Sequence, residues 1–166
     1  MNRSAVIPKR ALLIRLAVSM ALAWPAATAL GQNNVTLQRR LARTTAITCS
    51  FSVLATGDWK GGTPTGEIKV APIKVAFTKV NTDEGTAEAD TSFGASYIVV
   101  RYANTYLHLM QMHDTGPLYT TTVLAKETKD GRLMAVHTRH EYTDVRLPGF
   151  TSRPEMYLGD CAITSP

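Results

Sequence analysis

The feature that most constrains the fold is a strict alternation of apolar and polar residues. Ile47, Cys49, Phe51 and Val53 alternate with small polar residues. A period of two is typical of a β-strand that buries one face and exposes the other. The pattern therefore predicts that Cys49 faces the interior.

Turn-forming Gly, Asp, Asn and Pro residues separate the alternating segments at intervals of about 10 to 15 residues. No long stretch after the N-terminal segment has the period of a helix, and only residues 35–42 could form a short one. The pattern predicts about eight strands and a C-terminal strand-like piece, at 46–55, 67–71, 73–80, 85–90, 96–103, 105–112, 117–126, 132–143 and 156–163. The predicted fold class is all-β: an antiparallel meander, in the form of a closed or nearly closed barrel or, alternatively, a β-sandwich.

The first 31 residues have the pattern of a cleavable signal peptide. Four basic residues and no acidic residue accompany an uncharged apolar run at 16–30, and small residues, Ala29 and Gly31, precede a cleavage site at Gln32. The run of about 15 residues is shorter than the roughly 20 that a membrane-spanning helix needs. We therefore expect an exported protein, secreted or periplasmic, without a permanent membrane anchor.

Removal of residues 1–31 changes the charge of the protein. It leaves 14 Lys and Arg against 13 Asp and Glu. Arg39, Arg40 and Arg43 lie in residues 32–44, predicted as a basic N-terminal arm that precedes a single barrel-like domain at 45–166. The body lacks the clustered basic patch of a nucleic-acid-binding surface, so we expect no nucleic-acid partner.

The two cysteines of the chain, Cys49 and Cys161, are predicted to form a disulfide. Disulfides persist in exported proteins, and no third cysteine competes. A loop of this length would gain about 4 to 5 kcal/mol in the chain-entropy model. Free thiols or an intermolecular bridge are the alternatives. A bond between the first strand and the end of the chain favours a closed barrel, because the Cα atoms must lie within about 7 Å.

The strongest candidate for chemistry is the set His137, Arg139 and Glu141, which a regular strand places on one face. Glu141 could orient His137 as a general base, and Arg139 could bind an anionic group. The structural alternative is a salt-bridge ladder on the outer face or a polar network at a barrel end. His140 falls on the opposite face from His137, and we predict no metal and no cofactor.

Two middle strands, 96–103 and 105–112, are apolar on both faces. Their second face is expected to be covered by a second copy of the chain, by the N-terminal arm or by a ligand, and strands 96–112 are therefore the predicted site of a homo-oligomer. In the closing loop, Phe150 and Tyr157 are predicted to plug one end of the barrel.

Three short sites resemble the sequence elements of the lipocalins. Gly57-Asp58-Trp59 resembles their Gly-x-Trp element, and Thr143-Asp144 followed by Arg153 is loosely similar to the second and third elements. In that family the first element opens the first strand and a helix follows the last strands. Here Gly57-Asp58-Trp59 follows a strand that already contains Cys49, and the resemblance implies barrel architecture without membership of the family.

The leading functional hypothesis is a non-catalytic exported barrel that binds a small molecule or an envelope partner. The first alternative is a small hydrolase or isomerase that uses His137 and Glu141 with Arg139. The second is a structural or oligomer-forming envelope protein. Exposure of His137, Arg139 and Glu141 on the outer face would exclude the enzyme.

Overall fold

The computed structural model describes residues 25–91, 94–114, 116–145 and 152–165. Most of the predicted signal peptide and Phe150 lie outside these residues. The chain divides after Val35, and the main unit begins at Thr36. The described elements are α1 (Pro25–Ala42), β1 (Ala46–Lys60), β2 (Thr63–Asn81), β3 (Thr86–Thr91), β4 (Gly94–Ala103), β5 (Tyr106–Met112), β6 (Leu118–Glu127), β7 (Leu133–His140) and β8 (Glu155–Thr164).

The eight strands form one antiparallel sheet that closes on itself. Each strand pairs with the next along the chain, and β8 pairs with β1 to complete a closed barrel. The predicted all-β meander is therefore confirmed in its closed form. The helix predicted at 35–42 is also confirmed, although α1 begins earlier, at Pro25.

The strand predicted at 132–143 ends at His140, and the strand predicted at 46–55 continues to Lys60. Two further details of the strand prediction are wrong beside one irregularity in the sheet. Segments 67–71 and 73–80 belong to a single strand, β2, which continues through Pro72. The register between β1 and β2 shifts between Phe51 and Val53. A β-bulge at this point exchanges the faces of the strand, so Val53 lies on the outer surface and Leu54 is buried.

The predicted disulfide is confirmed. Cys49 of β1 lies directly opposite Cys161 of β8, and the two residues are bonded with a Cα–Cα distance of 4.0 Å. Both side chains are fully buried in a core that also includes Leu133 and Ile47. The bond therefore links the first and last strands at the point where the barrel closes.

Gly159 of β8 is required by close packing inside the barrel. An added Cβ would lie 2.1 Å from the carbonyl oxygen of Ser50, 2.6 Å from the Cα of Phe51 and 2.9 Å from the Phe51 ring atom Cδ1. Real Cβ atoms do not approach other heavy atoms so closely, and a glycine within a strand commonly marks such an approach of another backbone. The missing side chain leaves the space that the buried Phe51 occupies.

The last turns of α1, from Thr36 onward, cover one end of the barrel. Leu37 and Leu41 are buried in the barrel core. The carbonyl oxygen of Gln38 accepts a hydrogen bond from the Tyr102 hydroxyl, and Thr82 donates to the carbonyl oxygen of Ala42. We call this end, where β1 begins and β8 ends, the helix end.

The two middle strands predicted to be apolar on both faces have that property. Ile98 and Leu107 point inward and are buried, whereas Tyr97, Val99 and Tyr106 are exposed on the outer surface. Within the described residues, no segment of the chain covers this outer face. The homo-oligomer predicted through strands 96–112 stays a prediction. None of the described helices is long and apolar enough to cross a membrane.

Candidate functional site

The opposite end of the barrel, where β1 ends and β8 begins, has a polar interior; we call it the polar end. The strand register places Thr121, His137 and Tyr157 side by side on the inner face. The next row toward this end carries Tyr119, Arg139 and Glu155, which continue across the seam to Thr56 and Glu67. Two adjacent polar rows therefore replace the apolar core here.

His137 is a buried member of the first row, with 4% of its surface exposed. Its Nδ1 lies 2.9 Å from the Thr121 hydroxyl, and its Nε2 accepts a hydrogen bond from Nε of Arg139 at 3.3 Å. An accepting Nε2 requires a neutral ring with the proton on Nδ1, which then donates to Thr121. Burial, followed by the nearby charge of Arg139, lowers the pKa of His137 to about 4.

Arg139 lies between two tyrosine rings. Its guanidinium carbon is 5.3 Å from the ring centre of Tyr119 and 5.6 Å from that of Tyr157. Stacking of this kind holds the planar cation in place. Its charge is balanced by Glu155, whose carboxylate lies 3.7 Å away and also accepts a hydrogen bond from the Tyr157 hydroxyl at 2.7 Å.

Burial also affects the two tyrosines. The pKa of Tyr157 is raised to about 12, first by burial and then by its hydrogen bond to Glu155. The pKa of Tyr119 is raised well above its usual range by burial and by a hydrogen bond to Glu141. Both hydroxyls therefore stay protonated and act as donors.

The structure brings together two of the three residues predicted for catalysis. His137 and Arg139 are in direct contact, whereas the carboxylate of Glu141 accepts a hydrogen bond from Tyr119 at 2.9 Å. Glu141 lies beyond the end of β7, so it does not continue the row of the strand. Because both ring nitrogens of His137 contact protein groups, the geometry is that of a polar network at a barrel end.

Exposure of His137 on the outer face would exclude an enzyme. His137 faces the interior, so this exclusion does not apply. The catalytic assignment of His137, Arg139 and Glu141 stays a prediction. Among the described residues, no group of three or more His, Cys, Asp or Glu side chains is placed to hold a metal ion.

A cleft of about 420 Å³ lies beside the polar rows, between the turn-side half of the β1–β2 hairpin and the segment that enters β8. Glu155 belongs both to the cleft wall and to the row that contains Arg139. The cleft therefore adjoins the polar end of the barrel. Its charged lining residues are Asp58, Glu67, Glu155, Lys60, Lys69 and Arg153.

The three sites that resemble lipocalin elements meet at one side of this cleft. Nε of Arg153 lies 2.8 Å from the carboxylate of Asp58, and its guanidinium lies 4.6 Å from the ring centre of Tyr142. The ring of Tyr142 packs edge-on against Trp59. The backbone N–H of Trp59, and then Arg153, lower the pKa of Asp58.

Sequence reasoning missed the role of Glu155 and the partnership of Thr121 with His137. Tyr119 and Thr121 are two residues apart in β6 and therefore share a face. Tyr157, predicted to plug one end of the barrel, is buried. The partners depend on register, and the register between β6 and β7 shifts between Val123 and Glu127. A local pattern predicts the face of a residue but not its neighbour across such a shift.

No protein-family model matches this chain, and no curated protein matches it. The class that fold and site define is a closed eight-stranded antiparallel barrel with a bonded cysteine pair at its seam and a polar network at one end.

Proposed function

We propose that the protein is a non-catalytic, exported barrel that binds a small, polar, charged molecule in the cleft at its polar end. The cleft itself is the observation that carries the proposal. Its volume of about 420 Å³ falls in the range of small-molecule sites, about 300 to 1,000 Å³.

The lining indicates what kind of molecule would bind. Three acidic and three basic side chains surround the cleft, so a ligand that carries both charges would find partners for each. Lys60 ends β1, in the β1–β2 hairpin, whereas Glu155 begins β8. The two opposite charges therefore come from different parts of the chain. Asp58 pairs with Arg153, and Glu67 pairs with Lys69. A lipid or other apolar ligand would remove water from these ion pairs and offer no polar group in exchange.

Binding without chemistry agrees with the state of His137. Both of its ring nitrogens contact protein groups, and its depressed pKa keeps the ring neutral near pH 7. Thr121 and Arg139 hold it in one orientation. These contacts support a role in fixing Arg139 beside the cleft.

Export is part of the same proposal. The bonded pair Cys49–Cys161 is typical of proteins outside the reducing cytoplasm. The apolar N-terminal segment and the small residues before Gln32 support a cleaved signal peptide.

Native mass spectrometry tests both parts of the proposal. The full chain, produced with its own N-terminal segment, is recovered from the medium and the periplasmic fraction. We expect a mature mass that begins near Gln32 and a second species that carries a bound small molecule. Retention of the first 31 residues would contradict export.

Matched variants locate the site. Because Glu155→Gln removes one charge-assisted partner, the bound fraction should fall by about tenfold, and Lys60→Gln should act in the same direction. Glu127→Gln, at the helix end, is the control and should leave the bound fraction unchanged. A wild-type protein without any bound molecule, or equal loss in the control, would contradict binding in this cleft.

A further inference from the structure

The β1–β2 hairpin has an exposed edge at the polar end of the barrel. Counted from the polar end, the pairing of β2 with β3 begins only at Phe77, which lies opposite Ala89. In the described part of the chain, no strand pairs with residues 63–72 on the side away from β1. Ile68 and Val70 of this segment are 77% and 82% exposed. An open edge with apolar side chains is a template for another strand.

The apolar side chains of this edge continue onto the neighbouring strands. Val70 lies opposite Val53, which in turn lies opposite Leu158. Ile68 begins a second row, which passes through Ala55 to Met156. The side chains of Val53, Leu158 and Met156 are all exposed. Together these rows form a contiguous apolar patch on the outer face, which is typical of an interaction surface.

The hydrogen-bonding direction of the edge follows from Pro64. Pro64 pairs with Trp59 of β1, and because proline has no N–H, its backbone nitrogen must face away from that strand. Backbone groups alternate in direction along a strand. The N–H and C=O groups of Gly66, Ile68 and Val70 therefore point to the open edge.

We propose that this edge pairs with the same edge of a second copy of the chain, antiparallel, about a two-fold axis at Ile68. In this register Glu67 of each copy faces Lys69 of the other, and Gly66 faces Val70. The pairing makes about six backbone hydrogen bonds. Glu67 and Lys69 already form an ion pair within one copy, with 2.8 Å between Nζ and Oε1, and the dimer duplicates this attraction across the interface.

Proline positions favour this register over its neighbours. With the axis at Ile68, Pro64 faces Pro72 of the other copy, so both prolines fall at the ends of the paired segment. An axis at Gly66 or Val70 would place a proline opposite Ile68 and remove a central hydrogen bond. The interface is self-complementary and closed, which gives a dimer and not a fibre.

Sedimentation velocity of the full chain over a range of concentrations tests the proposal. We expect wild type to be a reversible dimer. Glu67→Lys and Lys69→Glu each place like charges opposite one another twice, so each should raise the dissociation constant by about tenfold or more. The double variant Glu67→Lys/Lys69→Glu restores opposite charges and should restore dimerisation.

Val99→Lys separates this interface from the one predicted through strands 96–112. Val99 is exposed on the outer face of β4, where it lies opposite Thr86, so the variant should leave a dimer formed by the β2 edge intact. Hydrogen exchange provides a second readout: the amides of Gly66, Ile68 and Val70 should gain protection as concentration rises. A monomer at all concentrations, failure of the double variant to restore association, or loss of the dimer only in Val99→Lys would each overturn the proposal.

Discussion

The two ends of the barrel are built from the same strands, but different interactions fill their interiors. At the helix end, Leu37 and Leu41 complete an apolar core. At the polar end, His137 and Arg139 occupy the interior with a network of hydrogen bonds and stacked rings. Apolar burial is the main contact inside the first end, with hydrogen bonds only at its margin, whereas the interior of the second depends on the partners of each polar group.

If the proposed function holds, this difference places the stabilising contacts and the binding cleft in different parts of one small domain. The buried disulfide and Gly159, which admits the ring of Phe51, lie in the part of the barrel between the two ends. Phe51 contacts His137, with 5.6 Å between ring centres. The apolar part therefore supports the polar rows, and polar groups can be placed next to the cleft without the loss of the fold.

The largest expected effect concerns the seam of the barrel. Replacement of Cys49 and Cys161 by Ala should lower the free energy of unfolding by about 4 kcal/mol, because the bond closes a loop of 112 residues. Urea denaturation with and without reductant measures this loss. Reductant should destabilise wild type and leave the double variant unchanged. Equal stability of wild type and variant would contradict a structural role for the bond.

A second substitution removes apolar packing at the helix end and leaves the polar end unchanged. Leu41→Ala leaves a cavity under α1 and should cost about 3 kcal/mol in the free energy of unfolding. Val35→Ala is the control, since Val35 is about half exposed and its truncation should cost less than about 0.5 kcal/mol. Thermal denaturation of both variants gives the comparison. If the two variants were equally stable, the closing role of α1 would be wrong.

A third, smaller effect concerns the polar end: the free energy of unfolding should depend on pH through His137. The pKa of His137 is lowered to about 4 by burial and by Arg139, whereas an unfolded histidine titrates near pH 6.5. Below that pH the unfolded chain binds a proton that the folded protein does not. The contribution of His137 to stability is therefore full above about pH 6.5 and falls by about 2 kcal/mol between pH 7 and about pH 5.

Urea denaturation at several pH values checks this slope. His137→Gln should remove it, and His108→Gln should retain it, because His108 lies on the outer surface and contacts Thr122 there. An identical pH dependence in wild type and His137→Gln would show that His137 is not held neutral in the folded state.

Much of the fold could be predicted from local pattern. Alternation placed Cys49 inside and separated His137 from His140, and the turn residues marked most of the strand ends. The bulge beside Phe51 could not be predicted, because nothing in the alternation of Ile47, Cys49, Phe51 and Val53 indicates where the register shifts. For the site, the row of His137 and Arg139 was predictable, but the partner of Glu141 was not.

Within each regular stretch of strand, the sequence by itself determined which side chains face inward, because a period of two is a local property of an extended chain. Beyond the bulge it did not, since Val53 lies outside and Leu54 inside. It also favoured a bond between the two cysteines, because no third cysteine competes. Only the tertiary structure decided which rows lie side by side. Register depends on bulges and on closure of β8 onto β1, and these long-range pairings set Arg139 between two tyrosines and beside Glu155.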